Sequence, residues 1–190
     1  EFIDSIILEP LKSDIRFHYL NPKIGFVRRD KQFKVLDDFL EREEDLLSLA
    51  ITGFGGIGKS KLLYHYILEL NNGTEWKAVK LNNFHVDKLY DKYTEWHYPK
   101  NLLLVFDYAA EKSEKIGKWL QAVCQSRSRP KKMRIVFLER QGLIEVNEQI
   151  ILPLWYQNIN KESGRVLETI QYELGNGFYE LPLFTKDEMF

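Results

Sequence analysis

A single cysteine, Cys124, leaves the chain nothing internal to pair it with, so a disulfide framework is excluded. That usage fits a reducing compartment, and a cytoplasmic location is the expectation. Long apolar runs are missing as well: runs such as residues 102–106 and 150–152 fall far short of the roughly 20 residues a membrane helix needs. Net charge is almost nil, −1 over 190 residues, which gives no whole-chain attraction to nucleic acid. The one local exception is Arg127, Arg129, Lys131 and Lys132, which reads as a solvated loop around Pro130. Internal repeats, low-complexity tracts and a signal-peptide pattern are all lacking.

An initial methionine is also lacking, and Thr185 and Glu188 have the spacing of a helix capping box that the chain cuts off two residues later. The expectation is a piece of a longer multidomain protein, with residues 1–23 as lead-in from a preceding region and 24–190 as one domain.

What is present is the balance of a soluble globular protein, 44% hydrophobic and 29% charged. Phe33, Leu36, Phe39 and Leu40 recur at helical spacing, and Leu46–Thr52 is then a short apolar run with β-branched residues that ends at a glycine cluster. Leu62, Leu63, Tyr66, Ile67 and Leu70 form a second helical stripe, stopped at Asn71, Asn72 and Gly73. Trp76–Leu81 reads as a strand and Val86, Leu89, Tyr90 and Tyr93 as a helix. Residues 102–107 form a nearly unbroken apolar run closed by a carboxylate. Ile116, Trp119, Leu120 and Val123 mark another helix, and Met133–Leu138 another strand, followed by Glu139 and Arg140. Val166, Leu167, Ile170 and Leu174 support a last helix, and residues 178–183 a fifth strand that Pro182 weakens. Strands alternating with helices call for a parallel sheet covered on both faces, an α/β three-layer sandwich.

The chemistry is concentrated in Gly53-Phe54-Gly55-Gly56-Ile57-Gly58-Lys59-Ser60, a P-loop lying between a buried strand and an amphipathic helix, the context such a loop requires. Gly53, Gly55, Gly56 and Gly58 let the backbone curl round a β-phosphate, with Ile57 between them and Lys61 on the helix after it. Lys59 reaches β- and γ-phosphates, Ser60 is a magnesium ligand, and the helix N-terminus adds partial positive charge. ATP or ADP with Mg2+ is the expected ligand. No guanine-reading Asn-Lys-x-Asp motif occurs, which tilts the purine towards adenine.

Asp107, at the end of its hydrophobic strand, is the second candidate magnesium ligand. Many hydrolysing relatives put a further carboxylate directly after this aspartate; here Tyr108 stands there. Glu111 is the nearest alternative, either polarising the attacking water or serving as an ordinary first-turn glutamate. Arg140 ends the fourth strand on the edge where ligands collect in open α/β sheets, facing either the γ-phosphate or a neighbouring carboxylate such as Glu139.

One strand intervenes between the P-loop strand and the Asp107 strand. This resembles the additional-strand branch of P-loop ATPases, which implies a five-stranded sheet of order 5-1-4-3-2. Within that branch the glycine loop resembles that of the STAND ATPases, which include NACHT and NB-ARC proteins. Phe26-Val27-Arg28-Arg29-Asp30 is similar to the motif that opens the STAND core, with Arg28 in the place of its usual glycine, and Arg29 is the residue the resemblance implies as a nucleotide contact. The segment from Leu104 to Glu111 resembles the "DYAE" form found in a bacterial group of these ATPases, with Ala110 in the glutamate's place and Glu111 after it. Arg140, Trp155 and residues 182–188 take places similar to later landmarks of that group. The resemblance implies a switch in which ADP keeps the protein closed and ATP permits assembly into homo-oligomers that activate a fused effector. A protein trigger, sensor repeats and roles in phage defence or transcriptional control are also implied. Two other readings stand beside it: an ATP-binding scaffold that does not hydrolyse, and a DNA-handling ATPase of initiator-loader type, supported only by the basic cluster.

Overall fold

The structure, a computed structural model, describes residues 2–6, 26–27, 29–92, 98–126 and 128–183. Its main sheet is built from β1 (Leu46–Thr52), β2 (Trp76–Leu81), β3 (Asn101–Asp107), β4 (Met133–Leu138) and a strand at Phe178–Glu180. A small hairpin outside this sheet supplies β5 (Ile144–Val146) and β6 (Gln149–Ile151), so the last sheet strand is β7. All pairings within the main sheet are parallel, in the order β2-β3-β4-β1-β7. Counting only its own strands, that is the expected 5-1-4-3-2.

The helices are α1 (Phe2–Ser5), α2 (Asp30–Glu41), α3 (Lys59–Asn71), α4 (Asn83–Lys92), α5 (Ser113–Gln125), α6 (Leu154–Glu162) and α7 (Val166–Ile170). Strand residues alternate between two cores, one on each side of the sheet. Leu102, Leu104 and Phe106 join Trp119, Leu120 and Trp155 on one side. Leu103 and Val105 join Phe33, Leu36, Leu62 and Ile67 on the other. The unbroken apolar run of β3 is therefore explained, because both of its faces are covered. Each such side chain removed from water stabilises the fold by about 2 kcal/mol. Ile3 and Ile6, from the part of the chain assigned to the lead-in, pack into the first of these cores.

Four differences from the sequence reading have physical causes. The hairpin was not foreseen because its residues are all exposed and leave no burial pattern; Asn147 and Glu148 make its turn with positive φ, a geometry usually signalled by glycine. Helix α6 buries Trp155, Tyr156 and Ile159 but is preceded by Pro153 at the cap, with no polar capping side chain. The helix expected to run on to Leu174 stops at Ile170, because Gln171 turns extended and bridges Ser48 on β1. The fifth strand is shorter than 178–183, ending at Glu180; Leu181 still donates to the Thr52 carbonyl, and Pro182 has no N–H to continue the ladder. Tyr93, part of the expected α4 stripe, lies outside the described residues, as do Arg28, Arg127 and residues 184–190.

Two side chains close the ends of the sheet. On the outer edge of β2, the Asn71 amide donates to the Ala78 carbonyl at 2.9 Å and its oxygen accepts the Ala78 N–H at 2.8 Å. At the N-terminal end of β4, the fully buried Arg134 donates to the carbonyls of Phe39, Leu40, Arg42, Glu44 and Met133. It thereby satisfies the open C-terminal end of α2. Burial pulls its guanidinium down to about 10, so it remains charged at neutral pH.

Candidate functional site

Strand register assembles the site. Ile51 of β1 lies opposite Leu138 of β4, and Leu138 opposite Asp107 of β3, so all three strands end at one level. Above it rise the glycine loop, the turn after Asp107, and Arg140. Residues 53 to 60, Asp107 and Arg140 are thereby brought to the same end of the sheet.

The loop leaves β1 through Gly53, and Gly58 caps α3 in the left-handed region at φ 100. At Gly58 an added Cβ would meet nothing within 4 Å, so glycine is required there by the backbone angle and not by space. The Leu62 N–H bonds the Gly58 carbonyl at 2.8 Å, so the first turn of α3 is formed up to the loop. A helix N-terminus is where an anion is favoured, and this one opens directly onto the loop. Lys59 folds back over the loop, donating to the carbonyls of Gly53 at 2.6 Å and Phe54 at 3.1 Å. Burial lowers its ammonium pKa, and the nearby Arg140 lowers it further, against the pull of Asp107 and Glu139. Lys61, one residue after Ser60, is likewise lowered by burial.

Ser60 Oγ stands 3.5 Å from Asp107 Oδ2, joining the two hydroxyl and carboxylate oxygens read from the sequence as metal donors. The same Oδ2 accepts Lys80 Nζ at 2.8 Å. Lys80 was missed by sequence reasoning. Its only signal is a lysine at the next-to-last position of a strand that is otherwise largely apolar.

Arg140 is exposed, and among the described residues its guanidinium makes no hydrogen bond or ion pair. It lies against the loop: a Cβ on Gly55 would be 3.6 Å from its Cζ and Nε. The alternative of an ion pair with Glu139 is not what forms. Glu139, 9% exposed, spends its carboxylate on backbone, accepting from Ala110 N at 2.6 Å and from Arg140 N at 3.1 Å. It fastens the end of β4 to the turn that follows Asp107.

That turn is a short 3-10 helix, Ala109–Lys112, entered through Tyr108 at φ 58 and ψ 49. A tyrosine in this region is strained by about 1 kcal/mol, and its side chain is 51% exposed at the site's rim. Glu111 sits on the same turn, exposed, where its carboxylate accepts a hydrogen bond from Asn83 at the start of α4. The turn thus holds Glu111 on the nucleotide edge with one oxygen engaged.

Arg29 lies between the P-loop and the chain after the last strand. Only 4% exposed, it donates to the Ile57 carbonyl and to the Pro182 carbonyl, both at 2.9 Å. These two bonds brace the loop at Ile57 against the chain that follows the last strand. Trp155 is buried and ties α6 to the chain after Arg140 by donating to the Gln141 carbonyl at 3.0 Å. The basic cluster does not join the site: Lys131 and Lys132 precede β4, at the opposite edge of the sheet, and Lys132 Nζ donates to the Glu41 carbonyl.

A parallel five-stranded sheet in this order, with a glycine loop between β1, an interior strand flanked by β4 and β7, and the following helix, is the P-loop ATPase fold. Solved structures share it, among them these two. The chain matches the Orc1 protein of Aeropyrum pernix, solved in complex with DNA, at TM-score 0.54 and 11% identity, over 86% of this chain and 47% of that one. It matches Cdc6p of Pyrobaculum aerophilum at TM-score 0.52 and 12% identity, over 87% of this chain and 49% of that one. The chain therefore spans about half the length of each structure. No protein-family profile matches the sequence, and no curated protein matches it either.

Proposed function

We propose that this domain is the ATP-binding, slowly hydrolysing regulatory module of a STAND-type switch, in which nucleotide state controls oligomerisation and a fused effector, as in bacterial anti-phage defence. The carrying observation is the convergence of the glycine loop, the Ser60 and Asp107 oxygens, and the exposed Arg140 guanidinium at one end of the sheet. The STAND reading is supported by Arg29, which joins the P-loop at Ile57 to Pro182, just where the chain leaves the last strand. A change on either flank is thereby coupled to the phosphate loop.

Ser60 and Asp107 are hard oxygen donors, the chemistry that suits magnesium, and would hold it there. Bound there, it would neutralise charge shared by the β- and γ-phosphates. Lys59 exchanges its two loop carbonyls for phosphate oxygens, and the α3 N-terminus and loop amides hold the rest of the triphosphate. Arg140 meets the charge that grows on the γ-phosphate as water attacks in line. Glu111 orients that water, and Arg29 positions the loop.

Single-turnover hydrolysis of ATP by the full-length protein tests this reading. Lys59→Ala abolishes turnover and Glu111→Gln slows it by about a hundredfold if a positioned base is at work. Wild-type protein that binds ATP but never hydrolyses it, under any trigger, would leave the scaffold reading instead. That second reading has its own support in Tyr108, which offers no carboxylate, and in the bond that engages Glu111 with Asn83.

A further inference from the structure

We propose that Lys80 is a built-in counter-ion for the metal-binding carboxylate: it holds Asp107 when no divalent cation is present and competes with that cation for the same oxygen. This rests on the assignment of Ser60, Asp107 and the glycine loop as a magnesium-triphosphate site.

Three observations carry it. Lys80 Nζ and Ser60 Oγ address one atom, Asp107 Oδ2, at 2.8 and 3.5 Å. A cation bound between serine and aspartate must either share that oxygen with an ammonium or displace it. Both partners are largely shielded, with side chains 14% and 11% exposed, so bulk salt screens their attraction weakly. The placement is also fixed by the fold. Strands β2 and β3 are parallel neighbours with Lys80 opposite Val105, which sets the lysine beside the last residues of β3. A lysine on that shielded strand needs a carboxylate within reach, and Asp107 is within reach.

Two consequences follow. Without metal, Lys80 cancels the Asp107 charge that would otherwise repel a triphosphate, so nucleotide binding is only partly dependent on magnesium. With metal, the lysine is released, and the strength of its bond sets how much cation is needed. A site with the same loop but no such lysine would depend far more steeply on magnesium.

The test is ATP binding to the full chain by calorimetry, with excess Mg2+ and with EDTA, for wild type, Lys80→Met, Lys80→Arg and Asp107→Asn with and without Lys80→Met. Loss of a close charge pair predicts that Lys80→Met raises the ratio of the two affinities by about tenfold or more, weakening binding in EDTA and strengthening it with metal. Lys80→Arg keeps the ratio near wild type, and provides the folded comparison if the methionine variant proves unstable. On the Asp107→Asn background, Lys80→Met changes the ratio no further. As a separate readout, Mn2+ binds the nucleotide-free Lys80→Met chain more tightly than wild type by electron paramagnetic resonance. An unchanged ratio in Lys80→Met, a shift in Lys80→Arg as large as that in Lys80→Met, or an equal shift without Asp107 would overturn the role given to Lys80 alone. Wild-type protein that binds no ATP in either condition would overturn the nucleotide site itself.

Discussion

Replacing Arg29 with methionine separates bracing of the phosphate loop from ordinary stability. The change keeps a long side chain but removes two charge-assisted hydrogen bonds, to the Ile57 and Pro182 carbonyls, each at 2.9 Å. Bonds of this kind contribute about 1.5–3 kcal/mol apiece, and the buried carbonyls left behind lose their donor. Allowing for packing regained by methionine, the net cost is about 3 kcal/mol. For a chain of this size that lowers Tm by about 6–12 °C. Because one bond anchors the loop itself, ATP affinity at 20 °C should also fall, by about tenfold, as the loop must be ordered by the ligand. Arg134→Met is the matched control, since it removes an equally buried guanidinium from the far end of the sheet. Differential scanning fluorimetry gives both Tm values and calorimetry both affinities. Equal ATP affinity in the two variants at matched loss of Tm would refute the idea that Arg29 braces the loop.

Further outcomes are expected. Arg134→Met itself should lower Tm by at least as much as Arg29→Met, with ATP affinity unchanged well below the transition, because five carbonyls lose a donor far from the nucleotide edge. Gly117→Ala would bring a Cβ to 2.6 Å from Glu162 Cβ and 2.7 Å from the Ile159 carbonyl oxygen, so α5 and α6 must separate; urea unfolding should show a loss of about 1–3 kcal/mol, and an unshifted midpoint would contradict this spacing. His65, stacked on Phe26 at 3.9 Å, is held below the ordinary histidine value mainly by burial, with Lys61 adding to it and Glu69 opposing. The unfolded chain therefore takes up this proton first, and stability should fall as pH drops below about 6.5 and level off beneath the folded value. His65→Gln should flatten that part of the pH profile.

The parts of the site legible in the sequence are those that local pattern determines. The P-loop is a contiguous string that can be read without knowing any distant partner, and Asp107 is marked by the apolar run before it. Lys80 was illegible because its partner is 27 positions away and only the β2–β3 register brings them together. Arg29 was picked out, but its target depended on burial that no spacing encodes. Glu139 reads as a surface charge until the turn at Ala110 is seen to need an acceptor. The sheet order was legible through resemblance, while α6 and the exposed hairpin were not, since one lacks a polar cap and the other buries nothing.

The amide of Asn71 has a bearing on how copies of this domain can meet. By taking both the N–H and the carbonyl of Ala78, it occupies the bonding positions that an incoming strand would use on the outer side of β2. At that register the sheet is sealed by a single side chain, so it cannot grow from copy to copy into a continuous ribbon there. Asn71→Ala would unseal it and leave that edge open to strand pairing between copies.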